Sequence, residues 1–148
     1  MGIEGKKLAV LACDDYEEIL GIMTTAISTA AKNVGVDIEI VSAATFVEVA
    51  EKLKTITEDQ RLELALALIG QGFKGGTKTG ADFVSDMRDM GETAPAIITT
   101  GGAGQDKRDQ IAALQSTTLL EQPFRMEALV SLVEGILRNK VPEDHPTL

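Results

Sequence analysis

Tryptophan is absent and aromatic residues make up 3% of the 148-residue chain, so its core must be aliphatic and rich in alanine. A single cysteine, Cys13, excludes an internal disulfide and fits a reducing, cytoplasmic setting. A single histidine, His145, lies in the C-terminal stretch VPEDHPTL, so neither a catalytic triad nor a zinc site can be assembled around it. Cations are in the minority, 14 Lys and Arg against 23 Asp and Glu, for a formal net charge of −9. That balance argues against nucleic acid or an anionic membrane as the main partner, since both select for clustered Lys and Arg. No apolar run is long enough to span a bilayer. The N-terminal MGIEGKKLAVLACDD meets acids at once and lacks the shape of a signal peptide.

What is present is aliphatic patterning. Leu62–Phe73, LELALALIGQGF, is the most continuous apolar run, and it ends on Gly70, Gln71 and Gly72. A short apolar run closed by glycines fits a strand buried on both faces of a parallel sheet, with strand at about Leu64–Ile69. A helix competes for the same residues, because Leu and Ala favour helix over strand.

Around it the chain alternates. Lys7–Cys13 reads as a first strand, and a helical pattern follows over Tyr16–Asn33 with Ile19, Ile22, Met23, Ala26, Ile27 and Ala30 on one face. Asp14 or Asp15 is its expected N-cap and Gly35 its stop. Val36–Val41 alternates as a second strand. A second helix starts after Thr45, with Val47, Ala50, Leu53 and Ile56 as its apolar positions and Thr45 with Glu48 as a capping box. Thr55–Arg61 extends that helix or forms a surface loop. Thr79–Met90 is a third helix carrying Phe83, Val84 and Met87, and Pro95–Thr100 a fourth strand. Gln105–Gln115 is a weaker helix with Ile111 and Leu114. Thr117–Leu120 is a fifth strand, and Arg125–Asn139 a helix with Met126, Leu129, Val130, Val133, Ile136 and Leu137. Five strands alternating with five helices predict an α/β fold: a doubly wound, five-stranded parallel sheet in a three-layer sandwich. Residues 1–140 form one domain and 141–148 a loose tail.

The order and spacing resemble a response-regulator receiver domain (CheY-like, flavodoxin-like) up to about residue 139. CDDYEEIL resembles the acidic-pair segment, with Asp14 and Asp15 as the pair. GADFVSDMRDMG resembles the helix after the phosphorylation loop, with Gly80 in the glycine position. PAIITTG resembles the fourth strand, with Thr100 in the switch-hydroxyl position and Gly101 after it, and LLEQPF the fifth-strand Lys-Pro motif, here Gln122-Pro123.

The departures carry the functional expectation. The resemblance places the phosphoacceptor aspartate of the family on Gly70, or on Gln71 or Gly72 if the loop shifts. Gln122 replaces the lysine that contacts the phosphoryl group, and Leu119 the aromatic switch residue. The loop after the third strand is longer by about two residues. Phosphoryl transfer needs an in-line nucleophile, a divalent cation and positive charge on the equatorial oxygens. Asp14 and Asp15 keep part of a metal cradle, expected to hold Mg2+ weakly or not at all. The reading placed ahead of a metal site is that they are helix-terminal acids, with Lys74 or Lys78 as a neighbouring cation.

The expectation is a degenerate receiver (a pseudo-receiver), not an enzyme. It would signal independently of phosphorylation by binding a protein, in a two-component or related pathway. The resemblance implies docking through the face of the fourth helix, fifth strand and fifth helix, with a homodimer left open. No output domain follows, so any effect would be exerted by contact with a separate chain. The alternative is a small-molecule or anion sensor using the glycine-rich ends of strands three and four. GQGFKGGTKTG lacks the P-loop spacing, whereas TTGGAG offers backbone N–H groups that could nest an anion. Cys13, beside a carboxylate, is expected to be a buried filler. Thr99 and Thr100 are expected to satisfy local backbone.

Overall fold

A computed structural model describes residues 7–72, 79–101, 105–122 and 124–140. The elements, in chain order, are β1 (Lys7–Cys13), α1 (Glu17–Val34), β2 (Ile38–Ala43), α2 (Phe46–Glu58), β3 (Leu62–Gly70) and α3 (Gly80–Asp89). They continue with β4 (Ala96–Thr100), α4 (Gln105–Ala112), β5 (Thr117–Glu121) and α5 (Met126–Lys140). All strand pairs are parallel, in the order β2-β1-β3-β4-β5. The Leu62 run is therefore strand: its residues are enclosed on both faces, and that burial outweighs the helix propensity of Leu and Ala.

Each face of the sheet has its own core. Val10, Ala12, Leu66, Leu68 and Ile97 pack against Met23 and Ile27 of α1 and Leu129, Val133 and Leu137 of α5. Leu11, Cys13, Ile69 and Ile98 pack against Val49, Leu53 and Ile56 of α2, Phe83, Val84 and Met87 of α3, and Ile111 of α4. Alternate residues of one strand thus serve two layers. Phe83 is buried in the second of these cores, and aliphatic and sulfur-bearing residues make up the rest of it.

Several local expectations need correction. β2 lies two residues further along than Val36–Val41. Two of the apolar residues assigned to the α2 face are exposed: Val47 is 68% exposed, and Ala50 also faces out. The buried stripe is Val49, Leu53 and Ile56, spaced i, i+4, i+7. Thr45 caps α2 by accepting from the Glu48 N–H, but Glu48 accepts from the Ala44 N–H at 2.8 Å, so the reciprocal bond falls one residue early. Neither acid caps α1 as expected. Its N-cap is Tyr16, with no side-chain cap bond, because the Asp14 side chain turns inward. Gly35 does end α1, in the left-handed conformation at φ 84°.

The approach of α3 to β3 is set by Thr79 and Asp82, which form a reciprocal capping box, and at the far end by Arg88. The Arg88 guanidinium donates to the Gln115 carbonyl at 2.9 and 3.0 Å and to the Glu92 carbonyl at 2.8 Å. It fastens the turn before β5, where Ser116 takes a positive φ of 52°. Arg88→Ala is expected to cost about 1–3 kcal/mol, read from chemical denaturation. Arg88→Lys should recover less than half, since a single ammonium cannot reproduce the fork.

Candidate functional site

The carboxyl ends of the strands meet at one edge, where doubly wound sheets place their chemistry. Asp14 follows β1, Gly70 closes β3, Thr100 closes β4, and Gln122 follows β5. By strand alternation Gly70 and Thr99 lie on the α1/α5 face, and they pair directly in the β3–β4 register.

Asp14 and Gly70 are in contact. Asp14 is 4% exposed, and its Oδ1 accepts the Tyr16 N–H at 2.9 Å. Its Oδ2 stands over the Gly70 Cα: a Cβ built at Gly70 would collide with Oδ2 and lie 3.1 Å from Cγ. The space into which a side chain at position 70 would project is therefore filled by the Asp14 carboxylate. Burial pushes the Asp14 carboxyl above its ordinary range, the Tyr16 N–H pulls it back, and the Asp15 charge adds to the rise.

Because the folded state holds this group above its unfolded value, Asp14 favours folding while protonated. That contribution fades as pH rises through its elevated titration range. Asp14→Asn keeps an acceptor for Tyr16 and removes the charge. It is expected to raise the denaturation midpoint at neutral pH, and the gain should vanish in acid, as thermal melts across pH would show.

Gln71 stands next to Gly70 but serves α3. Its carbonyl accepts the Gly80 N–H at 2.9 Å, and its side-chain Oε1 accepts the Ala81 N–H at 2.9 Å. Its own N–H donates to the Thr99 carbonyl at 2.8 Å. Gln71 Nε2 and Thr99 Oγ1 are buried without a hydrogen-bond partner among the described residues, so Thr99 does not serve local backbone. Gly80 is packed on the end of β3, and a Cβ there would come within 2.5 Å of the Gly70 carbonyl oxygen.

On the β5 side, the Gln122 N–H donates to the Thr100 carbonyl at 2.7 Å. Gln122 Oε1 lies 3.6 Å from a Cβ built at Gly101. The predicted residues thus form two groups, Asp14 with Gly70 and Thr100–Gly101 with Gln122, while Gln71 turns toward α3. Pro123, Lys74, Lys78, His145 and the tail lie outside the described residues. Cys13 is fully buried, and burial, Asp14 and Glu48 all push its thiol up, which suits a filler. Among the described residues no three His, Cys, Asp or Glu side chains gather as a metal-binding group.

Beside this edge runs a groove of about 510 Å³, lined by Ile19, Ile22, Gly101, Gln122, Phe124 and Met126. The helical pattern assigned Ile22 and Met126 to the core, but they are 36% and 37% exposed. Their helices are apolar over more residues than the sheet covers, and that surplus was the available signal for a surface site.

No protein-family model matches the sequence, and neither does any curated protein. Solved structures do match. The signal receiver domain of a DNA-binding response regulator from Colwellia psychrerythraea superposes with a TM-score of 0.73 at 15% identity, covering 89% of this chain and 99% of that one. A CheY-like receiver domain protein from Methanospirillum hungatei gives 0.69 at 17%, covering 91% and 96%. The chemotaxis protein CheY4 of Vibrio cholerae gives 0.65 at 21%, covering 88% and 98%. The chain has the CheY-like receiver fold, a flavodoxin-like α/β sandwich. No helix among the described residues is long and apolar enough to cross a membrane.

Proposed function

We propose that this chain is a receiver-type signalling module that does not accept a phosphoryl group and acts by binding another protein. The observation that carries this reading is the Asp14 carboxylate standing over Gly70. If position 70 is the family's acceptor position, the nucleophile is missing and a neighbouring acid fills its space. The remaining donors favour weak Mg2+ binding at most. Asp14 Oδ1 already accepts the Tyr16 N–H, and among the described residues no third carboxylate joins Asp14 and Asp15. Gln122 brings an amide where the chemistry needs a cation.

In this reading the module acts by contact and not by catalysis. An anion sensor is disfavoured because an anion here would face Asp14 and Asp15 with Gln122 as its uncharged neighbour. We assign the module to the cytoplasm, in a two-component or related pathway. A homodimer is the second mode of association, checked by sedimentation.

The test is incubation with acetyl phosphate and Mg2+, read by intact mass. No phosphoryl adduct is expected. An adduct on Asp14, Asp15 or any residue of the strand ends would overturn the reading.

A further inference from the structure

We propose that a cavity at the amino end of the sheet, opposite the Asp14 edge, binds a free α-amino acid with a short side chain. This goes beyond the reading of the module as one that acts by protein contact, and it stands whether or not position 70 is an acceptor position.

The cavity, of about 260 Å³, is built where the sheet is incomplete. β3 opens at Leu62, but its pairing with β4 opens only at Ala67 opposite Ala96, where the Ala67 N–H donates to the Pro95 carbonyl at 3.0 Å. Over residues 62–66 no strand lies on the β4 side of β3. The register between β1 and β3 also shifts there, between Leu64 and Leu66. Leu62, Glu63 and Leu64 line the cavity from β3, Glu92 and Ala94 from the turn that leads into β4, and Lys140 from the end of α5. Backbone groups on the unpaired side of a strand need other partners, which water or a ligand supplies.

The charges of the cavity choose the ligand. Lys140 Nζ stands 3.2 Å from Glu63 Oε2, and both side chains are partly buried, so salt screens them less than it screens a surface pair. Glu92 Oε2 accepts the Ala94 N–H at 2.9 Å. These bonds use one oxygen of each carboxylate and leave Lys140 further N–H groups. The cavity therefore offers acceptors to an ammonium and donors to a carboxylate, and a zwitterion satisfies both. A simple anion would face two acids. A divalent cation would face an ammonium and two carboxylates, short of the roughly six oxygens that Mg2+ or Ca2+ takes. The volume lies below the range of about 300–1,000 Å³ that holds drug-sized ligands, which limits the guest to a molecule of amino-acid size. Leu62, partly buried, gives a short side chain an apolar wall. In this assignment the ligand ammonium goes to Glu63 and Glu92 and its carboxylate to Lys140.

The test is amide NMR of the whole chain titrated with L-alanine and L-valine, with L-alaninamide, which lacks the carboxylate, and with N-acetyl-L-alanine, which lacks the ammonium. Saturable shifts from the two amino acids are expected at residues 62–66, 92–94 and Lys140, with none at Asp14, Gly70 or Gln122. Both analogues should bind roughly tenfold more weakly, and so should the amino acids to Glu63→Gln, Glu92→Gln and Lys140→Met. Glu92→Gln keeps an oxygen for the Ala94 N–H, and the Lys140–Glu63 pair is partly exposed, so the variants should keep the wild-type spectrum away from the cavity. No saturable shift from either amino acid, or shifts at the Asp14 edge in its place, would overturn the proposal. So would unchanged affinity in Glu92→Gln, or L-alaninamide binding as tightly as L-alanine, which would mark a plain cation site.

Discussion

Gly80→Ala is expected to cost the fold about 2–3 kcal/mol, among the largest losses available from adding one methyl group. The new Cβ would sit 2.5 Å from the Gly70 carbonyl oxygen and 3.1 Å from both the Gly70 carbonyl carbon and Ile69 Cγ2. Two of those three atoms are backbone at the end of a central strand, so no side chain can swing aside to relieve the contact. α3 would have to lift, and it is held there by bonds from Gly80 N–H to the Gln71 carbonyl and from Ala81 N–H to Gln71 Oε1. Lifting it would also loosen Phe83, Val84 and Met87 from the core. Urea denaturation should show the midpoint falling with an unchanged slope, which marks a change in stability. An unchanged midpoint would mean that helix and strand do not approach this closely.

Gly70→Ala is the second large effect, and it concerns the site. Here the colliding group is the Asp14 side chain. Overpacking of this kind costs about 1–3 kcal/mol. In an Asp14→Ala background the same substitution should be nearly neutral, because the obstructing oxygen is gone. The two changes should therefore couple by roughly 1–2 kcal/mol in a double-mutant cycle. Additive effects would contradict the contact. The larger Gly70→Asp, which writes an aspartate at the position that the resemblance assigns to the acceptor, should destabilise further. It should still give no adduct with acetyl phosphate, because Asp14 occupies the space and Gln122 supplies no cation.

The elements were largely legible because the chain punctuates them. Gly35 and Gly91 stop helices with φ of 84° and 89°, and Thr45 and Thr79 start them with side-chain caps. Where the reading slipped, tertiary contact decided. α2 buries Val49 rather than Val47 because the sheet meets that side of the helix. The strand Leu62–Gly70 resists its helix formers because neighbours cover both faces. At the site, a parallel sheet brings the residues that end or follow its strands, Asp14, Gly70, Thr100 and Gln122, to one edge, and the strand order is that of such a sheet. The inward turn of Asp14 was not legible, since a carboxylate after a strand reads as a helix cap. Nor was the attachment of Gln71 to α3, which depends on a ten-residue separation closing in space. The groove was hidden because Ile22 and Met126 fit the helical period as well as any core residue.

The most direct test of a receiver fold without a phosphoryl switch is an amide NMR spectrum of the whole chain, recorded with Mg2+ and then with beryllofluoride, a phosphoryl mimic. Resonances of Asp14, Asp15, Gly70, Thr100 and Gln122 are expected to hold their positions, as are those of α5. Saturable shifts at these strand ends that spread into α5 would contradict it, and would show that this edge still senses a phosphoryl-like ligand.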